Sequence, residues 1–397
     1  MSKKKTQLFV CATTLSAAVA WGGHTIYANH DQDQDNNDQG RGHGQKVFVI
    51  AMENHNWTQP ASLTSPQQIF QNVYAPFINS LVDGSSGISA QVSYATNYLN
   101  AGIGVHPSEP NYIWAEAGTN FGVNNDDTPY HADCTADTVQ ATDQHLSAFL
   151  TKAHRSWRSY QEDTDVDLAS NLPLARSAWT APLFNLSGTF TGTGLNAYNY
   201  SNQYNYAAKH NPMVFFTDTS GGCNITTSNP MRLQYAPLQQ LALDLQNDDL
   251  ADYNWITPDQ FNDQHSALKN GYGGPSGAPA TGDLAAIGEG DNALARLIPL
   301  IMSSRAYQDH GIILLWWDES EGGDTSDFTL PFIVISQDAH KNVNGVPFAS
   351  NVELSHSSTL RTMQEIFNVD PKSGYPFLGA ASTANDLSSL FAPGTIK

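Results

Sequence analysis

Three short apolar runs in this chain each end in residues that can bind a cation or move a proton. Glu53 and Asn54 follow the run Val47 to Met52, Asp318 and Glu319 follow Ile312 to Trp317, and Asp259, Asp263 and His265 follow Tyr253 to Ile256. In open α/β sheets, ligands bind beyond the carboxyl ends of the strands. One acidic strand end is ordinary, but three that converge in one sheet point to a metal site. Carboxylate, amide oxygen and imidazole suit hard or borderline divalent ions. No cysteine is among these residues, which excludes a structural zinc finger. Two oxygen- and nitrogen-rich clusters suit two-metal phosphoryl transfer, in which the ions stabilise the attacking and leaving oxygens. A nucleophile candidate, Ser108, lies in His106-Pro107-Ser108-Glu109-Pro110-Asn111-Tyr112. A serine hydroxyl attacks only when a base or metal activates it. The amide of Asn111, three residues on, can hydrogen-bond a phosphoryl oxygen.

The elements that must position these residues alternate between strands and helices. Val47–Met52, Ile312–Trp317 and Pro331–Ile335 are continuous apolar runs, as in strands covered on both faces. Met213–Phe216 and Tyr253–Ile256 read as shorter strands. Helical spacing is present over Thr138–Ala153, Leu233–Leu245, Ala293–Met302 and Ser358–Phe367. Strands separated by helices imply an α/β fold with a mostly parallel central sheet and helices on both faces, a three-layer α/β/α sandwich. Ser187–Tyr206 and Asn270–Gly282, rich in glycine and small polar residues, read as long loops.

The chain has 397 residues, 38 acidic and 18 basic, for a formal net charge of −20. General nucleic-acid binding, which wants a basic face, finds no support there. An anionic substrate would need a local positive potential, which metal ions can supply. Lys3 to Lys5, the apolar stretch Leu8 to Trp21 and Ile26-Tyr27-Ala28 form a secretory signal over residues 1–28, with no stretch suited to stable membrane insertion. Residues 29–45 are almost devoid of apolar side chains and read as a flexible polar tether, so order is expected from residue 46 to 397. Cys134 and Cys223 remain after the signal. An oxidising compartment favours a disulfide between them, the alternative being two buried thiols.

Ser108-Glu109-Pro110-Asn111-Tyr112 resembles the nucleophile motif of phosphodiesterases in the alkaline-phosphatase superfamily, a Thr or Ser followed by x-Pro-Asn. Met52-Glu53-Asn54-His55 is similar to a signature of the bacterial phosphoesterase branch, which holds acid phosphatases and non-specific phospholipases C. Tyr160-Gln161-Glu162-Asp163, Lys209-His210-Asn211-Pro212, Trp317-Asp318-Glu319 and Ser355-His356-Ser357 match that branch in order, so the resemblance runs from about Val47 to Val369. It implies an alkaline-phosphatase-like fold in a single phosphoesterase domain and one or two divalent ions (Ca, Mg, Mn or Zn). Glu53, Asn54, Asp318 and Glu319 would hold one ion together with the Ser108 alkoxide, which would attack phosphorus and form a phosphoserine. Asn111 would steady a phosphoryl oxygen. Asp259, Asp263, His265 and His356 would form the second-metal or leaving-group side. Relatives often carry Asp-His where this chain has Asp318-Glu319, and a glutamate favours a harder ion than zinc. The superfamily's Asp-x-x-x-His spacing is not met from Asp259, because Asp263 stands at the histidine position. Should a second ion be absent, His265 and His356 can serve as general acids or phosphate ligands.

Plainer roles compete with these. Glu53 can cap a following helix, His356 can be an ordinary helix-start residue, and His210 is as well suited to a structural role as to the leaving group. His106 and His131 read as loop histidines able to border the pocket, and Lys209 as solvated or as a source of positive charge. The function expected is phosphate-monoester hydrolysis on a phosphorylated small-molecule or lipid substrate by a secreted, periplasmic or extracellular enzyme. A phospholipase C or other phosphodiesterase is the nearest alternative and a non-catalytic binding protein a second. A sulfatase is disfavoured, since Ser108-Glu109-Pro110-Asn111-Tyr112 lacks the arginine of a Cys/Ser-x-Pro-x-Arg motif.

Overall fold

The apolar runs form the centre of an eight-stranded sheet. A computed structural model describes residues 45–273, 279–342 and 344–396. The expected signal and all but the last residue of the expected tether lie outside the described residues. In chain order the strands are β1 Val47–Met52, β2 Val92–Ala95, β3 Trp157–Gln161, β4 Tyr235–Pro237, β5 Tyr253–Thr257, β6 Ile312–Trp317, β7 Phe332–Ser336 and β8 Phe348–Ser350. Across the sheet they run β8-β2-β7-β6-β1-β5-β3-β4. β1 pairs in parallel with both β5 and β6, and β3 and β4 continue that direction. β7 is antiparallel to both its neighbours, so it alone runs against the rest. The architecture is the mostly parallel α/β sheet expected from the sequence.

Every residue of β1, β5, β6 and β7 is buried, which requires cover on both faces. The helices supply it in two groups. Helix α1 (Pro76–Asp83) and α4 (Leu241–Asn247) pack on α5 (Asp283–Met302), while α2 (Ser108–Ala117), α3 (Leu146–Lys152) and α6 (His356–Ile366) pack on one another. Trp157, Trp255, Trp316 and Trp317 are fully buried between them. Each large apolar side chain removed from water contributes roughly 1.5–3 kcal/mol before conformational entropy is subtracted.

Several local expectations are corrected by tertiary contacts. Of the stretch expected to be helical from Thr138, only Leu146–Lys152 is, because Val139 N bonds Pro129 O and Gln140 pairs with Phe216 as a β-bridge. Met213–Phe216 is not a strand. Pro212 pre-sets a 3-10 turn over Pro212–Phe215. Leu233–Leu245 divides into the edge strand β4, which Pro237 ends, and α4. Within the two stretches read as loops, Leu186–Thr189 pairs with Gln203–Tyr206 and Tyr272–Gly273 with Pro279–Ala280. Cys134 and Cys223 form a disulfide with Cα atoms 5.4 Å apart.

Helix α2 ends at Gly118, in the left-handed conformation at φ +67°, and an added Cβ would lie 2.4 Å from Leu378 O. Both backbone strain and a clash with main chain therefore oppose any side chain there. Gly118→Ala should cost about 2 kcal/mol or more, read as a lowered urea midpoint at unchanged slope. An unchanged midpoint would contradict the close approach of the Leu378 segment.

Candidate active site

Four elements bring their ends to one point at the carboxyl edge of the sheet. Glu53 leaves β1, Asp318 and Glu319 leave β6, the turn after β5 brings Asp263 and His265, and Ser108 is the first residue of α2. Ser108, Glu53, Asp318 and Glu319 are all at most 3% exposed. Ser108 Oγ lies 3.0 Å from Glu53 Oε2 and 3.4 Å from Glu319 Oε1. The helix start adds partial positive charge to the hydroxyl, which favours an alkoxide or a bound phosphate there.

Glu53 gathers the site. Its Oε1 accepts from Tyr112 OH at 2.5 Å and lies 3.1 Å from His210 Nε2, and its backbone N–H donates to Asp263 O at 2.7 Å. Burial raises the Glu53 carboxyl to about 8, with the Lys209 ammonium opposing the shift and the Glu319 charge adding to it. Burial, then the Glu53 and Glu319 charges, raises Asp318 well above the carboxylate range. Both Asp318 carboxylate oxygens are buried without a hydrogen-bond partner. Such a cluster of buried acids is costly unless protons or a cation neutralise it.

The histidines divide by role. His210 Nδ1 lies 3.1 Å from Asp263 Oδ2, and burial holds its imidazole well below its usual pKa. With Nδ1–H donated to Asp263, the Nε2 lone pair points toward Glu53 without hydrogen-bond geometry. Glu53, His210 and His265 each offer one ligand atom, all within 4.8 Å of one another. A histidine fixed by a carboxylate through its other nitrogen is the usual setting of a metal ligand, and burial also lowers His265 to about 4. His356 is engaged differently. It is buried, with a pKa near 4, and its ring nitrogens meet Asp318 O and Tyr98 OH. A neutral ring must donate to the carbonyl and accept from the tyrosine, so here His356 braces the Asp318 backbone.

Three candidates lie at the margin or apart. Asn111 donates to Val105 O at 3.0 Å and Pro107 O at 3.3 Å, which braces the turn before Ser108 and leaves its Oδ1 unpartnered. Asn54 donates to Glu321 Oε1 at 2.7 Å. Asp259 joins Glu162 and Asp163 in a separate cluster.

Sequence reasoning missed Tyr112, although its spacing of four from Ser108 puts both on one face of a helix. It also ranked His106 and Lys209 low. His106 Nδ1 makes a very short contact with Glu319 Oε2, and Nε2 lies 2.9 Å from Asp324 Oδ1. The Glu319 hydrogen bond raises His106 to about 9, burial opposing and Asp324 assisting. Lys209 Nζ bonds Asp126 Oδ2 at 2.8 Å. Burial works against its charge, but Glu53 and Asp126 hold it above the usual lysine value. These two cations provide the local positive potential that the overall charge of −20 does not.

With this geometry in view, residues 18–370 match the sequence profile of the Phosphoesterase family. The chain belongs to the Phosphoesterase family. It is 29% identical over 165 residues to an acid phosphatase of Aspergillus fumigatus, covering 40% of this chain and 28% of that protein. It is 24% identical over 329 residues to a phosphatidylinositol-3-phosphatase of Mycobacterium tuberculosis, covering 83% of this chain and 78% of that one. A solved structure of an alkaline-phosphatase-superfamily protein from Vibrio parahaemolyticus aligns over 88% of this chain and 71% of its own at a TM-score of 0.43 and 11% identity. This phosphoesterase therefore spans under a third of the length of the fungal relative, at 28%.

The pairing of His106 with Glu319 and Asp324 has a pH signature. Its pKa of about 9 stands above the unperturbed histidine value near 6.5. The stabilisation it gives the metal-free fold is complete below pH ~6.5 and lost as pH rises through about 9. The Tm of the chelated protein should exceed that of His106→Gln at pH 6, and the gap should close by pH 10. A gap constant over that range would contradict the cationic imidazole.

Proposed function

We propose that this phosphoesterase hydrolyses phosphate monoesters, with Ser108 as nucleophile, in a metal-dependent reaction outside the cytoplasm. The carrying observation is Ser108 Oγ at 3.0 Å from Glu53 Oε2, at a helix N-terminus beside the unpartnered Asp318 carboxylate. Family membership and relatives named as phosphatases support ester hydrolysis. The disulfide supports an oxidising compartment. Among the described residues no helix is long and apolar enough to cross a membrane.

The donor set fits a hard or borderline divalent ion. Glu53, Asp318, Glu319 and, at the margin, Asn54 would hold one, and His210 and His265 with Glu53 offer ligands for a second. When bound, such an ion supplies Lewis-acid stabilisation of phosphoryl charge and lowers the pKa of a nearby hydroxyl. The chain's residues do the rest. The Ser108 proton has Glu53 Oε2 and Glu319 Oε1 as acceptors within reach. An Oγ–P bond forms as the ester P–O bond breaks, and the leaving alcohol takes up a proton. Water then cleaves the phosphoserine, releasing phosphate and restoring the hydroxyl. Lys209, His106 and the α2 N-terminus draw the phosphate in, and Asn111 keeps the Val105–Pro107 turn shaped for attack.

Hydrolysis of p-nitrophenyl phosphate and of its bis-ester, with and without chelator, tests this reading. Turnover should be chelator-sensitive, favour the monoester, and fall at least about 10³-fold in Ser108→Ala. Activity surviving both chelation and Ser108→Ala would remove the serine from the mechanism. Preference for the bis-ester would move the assignment to a phosphodiesterase.

A further inference from the structure

A second buried group of acids lies beside the first and shares no residue with it. Glu162 and Asp163 follow β3, and Asp259 follows the adjacent parallel strand β5. We propose that Glu162, Asp163 and Asp259 form a separate divalent-cation site, suited to a hard ion of the Ca²⁺ or Mg²⁺ class, that fixes the turn carrying Asp263 and His265.

Each of the three acids offers one carboxylate oxygen, and these lie within 4.8 Å of one another. Oxygens on opposite sides of a calcium ion, each bound at ~2.4 Å, are ~4.8 Å apart, so the set fits one coordination sphere. All three residues are at most 3% exposed. Asp163 Oδ1 accepts from Gln239 Nε2 at 2.9 Å, and Asp259 Oδ1 from the backbone N–H groups of Phe261 and Asn262 at 3.1 and 3.0 Å. The other oxygen of each, Asp163 Oδ2 and Asp259 Oδ2, is buried with no donor from any neighbouring group, so the two carboxyls are left to face each other. A buried carboxylate oxygen left so carries a large desolvation cost. Glu162 is held in orientation by Asn196 Nδ2 at 2.6 Å, Asn262 Nδ2 at 2.9 Å and Asp259 N at 2.8 Å, as an outer shell orients a ligand.

Charge separates this group from the Ser108 group. There, Lys209 and His106 offset part of the acid charge. Here the hydrogen-bond partners are amides and backbone N–H groups, all neutral. Burial, then the Glu162 charge, raises Asp163 and Asp259 well above the carboxylate range, so without a cation the pair must share protons. Asp263 N donates to Asp259 O at 2.9 Å, so an ion at Asp259 would stiffen the turn that places Asp263 against His210.

The proposal stands apart from the reading of Ser108, and metal counting separates the two. Full-length protein is stripped with chelator and titrated with Ca²⁺ or Mg²⁺, reading bound ions per chain and Tm, for wild type, Asp163→Asn/Asp259→Asn and Glu53→Gln/Asp318→Asn. Wild type and Glu53→Gln/Asp318→Asn should both gain Tm with added ion, the latter keeping one ion per chain. Asp163→Asn/Asp259→Asn should bind one ion fewer than wild type. Should that variant fail to fold, Glu53→Gln/Asp318→Asn decides alone. No ion bound by Glu53→Gln/Asp318→Asn, or undiminished stoichiometry in Asp163→Asn/Asp259→Asn, would overturn the site in favour of a proton-sharing acid pair.

Discussion

The burial of the Glu53 carboxylate at the end of the central strand is the constraint that organises this molecule. β1 is flanked on both sides by parallel strands, so a residue just beyond Met52 emerges into a crevice between their carboxyl ends. A carboxylate there loses its water and needs partners. Its hydrogen-bond donors, Ser108 and Tyr112, both come from α2, while His210 from a 3-10 turn lies 3.1 Å from it and Asp263 O accepts from the Glu53 backbone N–H. The surroundings of one buried carboxyl thus bring a serine hydroxyl, an imidazole and a second carboxylate together. Asp318 arrives because β6 is in register with β1, Met52 opposite Trp317. Its oxygens have no hydrogen-bond donor of their own, a deficit that protons or a cation would remove.

How much of this was legible depends on whether a signal is local. The continuous apolar runs at Val47–Met52 and Ile312–Trp317 suit strands covered on both faces, and the strand-end rule then picks out Glu53, Asp318 and Glu319. β2 and β3 escaped because Val92-Ser93-Tyr94-Ala95 and Trp157-Arg158-Ser159-Tyr160-Gln161 mix polar residues into buried positions, and their partners lie far along the chain. Ser159, for instance, bonds Asn211 Oδ1 rather than water. Helix α2 escaped too, since Pro107 and Pro110 suggest a loop. Proline is tolerated in the first turn, where its missing N–H has no acceptor to lose. The weight of His106 was unreadable for a different reason: it derives from Glu319 and Asp324, more than 200 positions away.

His356 shows how a motif can be visible while its contacts are not. Its place before a helical stripe was plain from the sequence, and α6 begins at that residue. Nothing local indicated that its ring would sit beneath the β6 end. Burial keeps the ring neutral, and a neutral imidazole has one donor and one acceptor, both engaged by Asp318 O and Tyr98 OH. Tyr98 OH lies 2.8 Å from Thr359 Oγ1 in turn. A chain of neutral hydrogen bonds therefore fixes the backbone from which the Asp318 carboxylate, with no donor to either oxygen, projects.

The turn from Asp259 to His265 is where the two acid groups meet. Asp259 and Asp263 lie one helical turn apart in sequence yet serve different clusters, because Asp259 Oδ1 caps the N–H groups of Phe261 and Asn262 and turns the chain back on itself. Gln264 then adopts φ +83°, a conformation that costs a non-glycine residue about 1–3 kcal/mol. It holds there because Trp317 Nε1 donates to its Oε1 at 2.9 Å and its own Nε2 donates to Ile287 O at 3.0 Å. That clamp requires α5 to come very close. A Cβ at Gly290 would lie 2.2 Å from Gln264 Cγ and 3.1 Å from Asn262 O. Glycine within a helix costs about 1 kcal/mol relative to alanine, and in α5 that cost is offset by the packing it allows. The position of His265 and Asp263 beside Glu53 is therefore set from behind by a helix that contributes no side chain to the site.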